Sequence, residues 1–271
     1  MKSRKLAAPF TVWVLLFTVI PLGMVVWYAF TDDAGGFTLA NIAAMENYIS
    51  IFLDSVWLGL ISTVICLILA FPLAFSISRT SLRAQQTMVM IVMLPMWMNF
   101  LLRTYVWMSI LETNGLLNQL LGVFGIRKLE LMGTDTAIVL GMVYNFLPFM
   151  VLPLYSVMVK IDHRIIEAGQ DLGAGNAQLF GRIVLPLSMP GVLSGITMVF
   201  VPAVSTFLIS NLLGNGKKML IGDLIEQRFI GNARNEHVGS ALSLVLMILI
   251  LLCMALMGLV EKDEDTGGLL V

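Results

Sequence analysis

Six stretches of this chain, each long enough to cross a lipid bilayer, decide what it can fold into. A crossing helix needs about 20 apolar residues. Phe10–Phe30, Val56–Ile77, Thr87–Leu111, Thr136–Val159, Met189–Leu213 and Val238–Val260 are runs of that kind. None alternates polar and apolar residues as a membrane β-strand does, so in lipid the backbone must satisfy itself within helices. Composition agrees: 58% of the 271 residues are hydrophobic and 12% charged, with a mean hydropathy of +0.92. A soluble domain of this length exposes too much surface to hide so many apolar side chains. The expected fold class is all-α, a polytopic membrane protein with six transmembrane helices in one domain over residues 1–271.

The first run follows Lys2, Arg4 and Lys5, but it is too long for a signal-peptide core and no A-x-A cleavage site follows it. It reads as a retained helix with its N-terminus in the cytoplasm, and six spans return the C-terminus to that side. The inner side then holds nine bases: Lys2, Arg4, Lys5, Arg79, Arg83, Lys160, Arg164, Arg182 and Lys262. Six lie outside, namely Arg127, Lys128, Lys217, Lys218, Arg228 and Arg234, and Arg103 falls within a span. The first outer loop has Asp32, Asp33, Glu46 and Asp54 and no base, which agrees with the positive-inside rule. In that loop "NIAAMENYISIFL" reads as a surface helix, and "MLIGDLIEQRF" in the last outer loop as a short helix dipping back toward the membrane.

The inner segment 160–187 is unlike the rest. Asp162 is a good N-cap, and Ile165, Ala168, Gly169 and Leu172 recur at helical spacing. Gly173 suits the left-handed position that ends a helix. Asn176 can then cap a second short helix, Ala177–Leu185, which Pro186 is expected to stop. The product is helix, Gly-rich elbow, helix. Small residues at the bend let another surface approach the backbone, and Glu167 and Asp171 offer carboxylates to basic groups on it. A helix lying on lipid headgroups would instead carry bulky apolar residues and a basic face.

This segment resembles the EAA motif of membrane subunits of binding-protein-dependent ABC importers: E-A-A, three residues, Gly, nine residues, I-x-L-P. The chain has Glu167-Ala168-Gly169, then Gly173, then Ile183-Val184-Leu185-Pro186, with both spacings kept and Gly169 in place of the second Ala. The resemblance implies the type I importer permease fold and a coupling helix seated in a cleft of a cytoplasmic ATPase. Glu167, Ala168, Gly169, Asp171 and Gly173 would be the coupling positions. It implies partners as well: a second related permease, two copies of the ATPase and an extracellular or periplasmic substrate-binding protein. On that reading the chain binds no cofactor, ATP and Mg belong to the partner ATPase, and the location is the bacterial inner membrane.

The remaining chemistry supports transport without catalysis. A phosphate loop needs G-x-x-x-x-G-K-[ST], and "NGKK" at Asn215–Lys218 lacks its first Gly and its hydroxyl. His163 and His237 stand in loops on opposite sides without metal-ligand spacing, and no HExxH or G-x-S-x-G occurs, so no catalytic or metal residue is assigned. Cys66 and Cys253 sit mid-run as small hydrophobes. Met88, Met90, Met93, Met96 and Met98 fit adaptable packing better than a copper path. A net charge of −1 predicts no nucleic-acid partner. Seven of the nine prolines fall within runs, where each can kink a helix.

Polar residues within membrane runs are functional candidates. Here they are Asn99, Arg103, Asn145, Ser205, Thr206, Ser210 and Asn211. For the asparagines and hydroxyls the competing role is hydrogen bonding between helices. For Arg103 it is reaching back to the outer headgroups. The outer loops carry ten acids against six bases, which suits a cationic substrate. "NFLLRTYVW" (Asn99–Trp107), "NGLLN" (Asn114–Asn118), "YNFLPFMVLPLYS" (Tyr144–Ser156) and "LIGDLIEQRF" (Leu220–Phe229) resemble the first permease type of spermidine/putrescine importers. The resemblance implies polyamine import. The alternatives are an importer for another small solute, or an ATP-independent channel or carrier. The last should show acids well inside a span, and this chain has none.

Overall fold

The structure, a computed structural model, describes residues 3–231 and 234–267. Lys2 and the chain end at Val271 lie outside the described residues, as do the side chains of Arg4, Lys5, Val260 and Lys262. Among the described residues there is no strand, and extended pairing is limited to an isolated bridge between Thr31 and Phe37.

Four helices are each long and apolar enough to cross a membrane unbroken: α1 (Pro9–Ala29), α2 (Ala40–Ser78), and two that follow later in the chain, Asp135–Met158 and Glu236–Leu259. Between α2 and the third lie α3 (Leu82–Trp97), α4 (Phe100–Leu111) and α5 (Leu116–Val123). After α6 (Asp135–Met158) come α7 (His163–Asp171), α8 (Asn176–Leu187), α9 (Met189–Val204) and α10 (Leu208–Leu213). The short α11 (Ile221–Phe229) precedes α12 (Glu236–Gly267). The expected surface helix near Ala40 is not separate. It runs straight into α2, whose 39 residues reach about 58 Å, well beyond a bilayer's apolar core.

Two expected spans are bent. The run Thr87–Leu111 breaks between α3 and α4 with an 87° turn, where Met98 is extended (φ −77°, ψ 148°). Pro95 tightens the last turn of α3, and Asn99 restarts the helix as its N-cap. The run Met189–Leu213 ends its first helix at Val204 and restarts at Leu208, while a 70° bend at Ser188 joins α8 to α9. Two π turns share one cause. Leu15–Val19 ends two residues before Pro21 and Phe180–Val184 two before Pro186, so each ladder widens where a proline supplies no N–H. Pro186 therefore widens α8 rather than stopping it, and the helix continues to Leu187.

The core is a three-helix contact of α2, α6 and α9. Apolar burial drives little between helices in lipid, so close backbone approach through small residues matters more. A Cβ on Gly59 would lie 2.7 Å from a Val204 methyl, and one on Gly195 would lie 2.6 Å from Met150 Sδ. Gly141 of α6 likewise admits Leu213 of α10, whose Cδ1 would be 2.4 Å from an added Cβ. Met142, Met150, Leu154 and Met158 line the buried face of α6. On the opposite flank α12 packs on α1 and on α11, leaving Leu251, Leu252 and Leu256 facing outward, as lipid contact requires.

Candidate functional site

Polar structure gathers at both ends of the bundle, which α6 separates by about 36 Å, roughly one bilayer thickness. At the first end, Asp162 caps α7 by accepting from Arg164 N–H at 3.0 Å. The helix closes in a Schellman arrangement: Gly173 N–H donates to Gln170 C=O at 2.8 Å and Ala174 N–H to Gly169 C=O at 3.1 Å. Gly173 has φ +82°, the left-handed conformation expected of it. Gly175, not Asn176, caps α8, and its N–H donates to Gln178 Oε1 at 3.2 Å.

Of the residues that recur at helical spacing in α7, Gly169 alone faces inward. Ile166 and Gly169 are buried, while Ile165, Ala168 and Leu172 are exposed, Leu172 at 89%. Gly169 sits against α8, where an added Cβ would meet Leu179 Cδ2 at 2.7 Å and Ile183 Cδ1 at 2.8 Å. The exposed surface includes Ile165, Glu167, Ala168, Asp171, Leu172 and Gly173 together with His163, Arg164 and Gln170, so apolar, acidic and basic groups lie around the elbow. Among the described residues Glu167 pairs one turn back, with His163 Nδ1 3.0 Å from its Oε1, and both side chains are largely exposed.

This elbow is joined to the core. Phe180 of α8 packs edge-on against Phe71 of α2, with ring centroids 4.9 Å apart. Arg79, just past α2, donates to Ile161 C=O at 3.4 Å and lies over the Phe75 ring, and burial lowers its pKa. Tyr155 O–H donates to Gln85 Oε1 at 3.0 Å, while Gln85 Nε2 donates to Ser78 and Thr80 carbonyls. The elbow segment is thus packed against α2 and the end of α6.

The polar residues predicted for a path divide into separate settings. Asn99 is exposed at the α3–α4 break, and its Oδ1 accepts from Leu101 and Leu102 N–H, which is a structural capping role. Arg103 is 7% exposed, over the Phe100 ring, with Nε and Nη1 lacking partners among the described residues. That burial is the opposite of a headgroup contact. Asn145 is buried in α6, donates to Gly141 C=O at 2.9 Å, and leaves Oδ1 without a partner. Ser205, Ser210 and Asn211 come together at the α9–α10 break. Ser205 donates back to Val201 C=O at 2.9 Å, Ser210 to Phe207 C=O at 3.1 Å, and Asn211 is exposed.

The residue missing from the sequence reading at that break is Asp223. The first turn of α11 lies directly on it: a Cβ on Gly222 would be 2.4 Å from Thr206 O. Ser55 of α2 accepts from Ile221 N–H at 2.8 Å and pins the same turn. Asp223 is 3% exposed; its Oδ2 accepts from Leu220 N–H at 2.8 Å, while its Oδ1 has no hydrogen-bond partner among the described residues. Burial pushes this carboxyl up to about 6, against the lowering effect of Leu220 N–H and the Ser210 hydroxyl. Lys218 nearby is held by Asp135, 3.0 Å away, a hydrogen bond that raises the lysine's pKa. The only sequence cue was an acid set within "LIGDLI", among apolar residues on both sides.

Comparison with known proteins matches this architecture. The family described as "Binding-protein-dependent transport system inner membrane component" matches residues 36–263. The chain is 37% identical over 250 residues to a "Spermidine/putrescine transport system permease protein PotB" of Haemophilus influenzae, covering 89% of this chain and 87% of that one. Its likeness to the protein of the same name in Escherichia coli is also 37%, over 246 residues, 87% of this chain and 89% of the other. Among solved structures, a bacterial ABC transporter involved in import of the acidic polysaccharide alginate has the same fold, with a TM-score of 0.81 over 96% of this chain and 94% of that one, at 16% identity. The helical bundle, its elbow and the match across most of its length lead to one assignment: this chain belongs to the binding-protein-dependent transport system inner membrane components, the permease subunits of ABC importers.

Proposed function

We propose that this permease forms half of the translocation path of an ATP-driven polyamine importer. The observation that carries the substrate is the 37% identity, over most of both chains, to permeases named for spermidine and putrescine. An excess of acids on the expected outer side fits cationic cargo. In this reading the elbow 160–187 and both termini face the cytoplasm of a bacterial cell, across the inner membrane. A second, related permease completes the path, and a periplasmic or extracellular binding protein delivers the substrate. Two ATPase copies supply ATP and Mg chemistry from below, and one of them receives Glu167, Ala168, Asp171 and Gly173 in its cleft. Gly169 holds α7 close to α8 so that the docked surface moves with the core. Uptake of labelled putrescine and spermidine by a strain lacking this chain tests the proposal. Loss of both, restored by the gene, is expected; normal uptake of both would transfer the permease to another small solute.

A further inference from the structure

We infer that Asp223 is the carboxylate on which this subunit receives the ammonium end of its cargo, in the cavity between α10 and α11. The inference rests on the polyamine reading and deepens it to a site. The cavity holds about 90 Å³ and is lined by Asn211, Gly216, Lys218, Met219, Asp223 and Gln227. It offers what an alkylammonium needs. A primary ammonium has three donors and no acceptor, and the side-chain amides of Asn211 and Gln227 line the same cavity as the carboxyl. Met219 offers an adaptable apolar wall to methylenes.

The decisive feature is the half-used carboxylate. Oδ2 is committed to Leu220 N–H and completes the start of α11, whereas Oδ1 is buried with no donor. The Ser210 hydroxyl lies near enough to the carboxyl to lower its pKa, but it donates to Phe207 C=O at 3.1 Å. A buried charge without a partner is costly and is retained where it meets one in function. The charged groups nearest to it are Glu226, one turn on, and Lys218. The first makes the site more negative and the second is occupied by Asp135. The other elements packed on α11 meet it with Ser55, with Ser210 and Asn211, and with Leu242 and Leu246 of α12.

The pH behaviour follows. With its pKa near 6, Asp223 carries its charge at neutral pH and loses it as the outer medium acidifies below that value. An alkylammonium stays charged throughout, so uptake should fall as pH drops from 7.5 to 5.

The test uses the whole complex in proteoliposomes, with its binding protein and enclosed ATP. Uptake of labelled putrescine and spermidine is measured alongside ATP hydrolysis. Asp223→Asn keeps the shape and an oxygen for Leu220 N–H while removing the charge. It should lower uptake per ATP by about ten-fold or more, the usual effect of losing one charge-assisted contact in a dry site. Binding-protein-stimulated ATP hydrolysis should persist, and the remaining uptake should no longer depend on pH between 5 and 7.5. Asn211→Asp added to Asp223→Asn returns a carboxylate to the same cavity and should recover part of the uptake. A variant that transports within two-fold of the unaltered complex would overturn the inference. So would a loss of ATP hydrolysis together with uptake that Asn211→Asp does not repair, since Asp223 would then serve α11 alone. If the unaltered complex takes up neither polyamine, the polyamine reading itself falls, which is a distinct result.

Discussion

At the scale of single residues, two glycines with crowded surroundings should respond differently to the same methyl group. At Gly222 the obstacles are backbone oxygens, Thr206 O at 2.4 Å and Ser205 O at 2.7 Å from the added Cβ, and neither can step aside. Gly222→Ala is expected to lower the stability of the purified complex by about 1–3 kcal/mol, read as a fall in Tm. At Gly169 the obstacles are the tips of Leu179 and Ile183, which can turn away. Ala also favours the helix by roughly 0.5–1 kcal/mol, so Gly169→Ala should leave Tm nearly unchanged. Asp223 gives a third contrast. Its folded pKa, about 6, lies above the ordinary 3.8, so the fold favours the protonated form and loses stability as pH rises from 3.8 through 6. Asp223→Asn should therefore stabilise the fold at pH 7.5 by an amount on the order of 3 kcal/mol, read as a rise in Tm, and give no gain at pH 4. A variant more stable yet poorer at transport is what a functional buried charge leaves behind.

At the scale of elements, α7 and α8 were the most legible part of the chain, and for a physical reason. The Asp162 cap of α7, the left-handed Gly173 and the spacing from Glu167 to Pro186 are local, so sequence carries them directly. The burial of Gly169 against Leu179 and Ile183 is a tertiary contact that helical periodicity does not register. The breaks at Met98 and at 205–207 were hidden by hydropathy, which stays high through a bend. The burial of Asp223 was hidden more deeply. It depends on Ser55, 166 positions from the N–H it accepts, and on the seating of Gly222 over Thr206. For coupling, the element-level test is Glu167→Lys. The exposed His163–Glu167 pair stabilises α7 by only about 0.3–0.5 kcal/mol, so the helix should survive its loss. Transport per ATP should nevertheless collapse while the protein inserts and assembles. Unchanged coupling would remove Glu167 from the docking surface.

At the scale of the whole molecule, the architecture divides labour between two ends. The elbow offers an exposed acidic and apolar surface tied to α2 and α6 through Phe180, Arg79 and Gln85. The opposite end holds the polar break of α9–α10 under α11. α6, about 36 Å long with Pro148 and Pro153 in its interior, spans the distance between them. The most direct measurement is to tag the chain, express it from its native operon, extract it gently and identify what co-purifies, with stoichiometry read by native mass spectrometry. An assembly of this chain, one related permease and two ATPase subunits is the predicted result. A homo-oligomer without an ATPase, reproduced in lipid nanodiscs, would contradict the account.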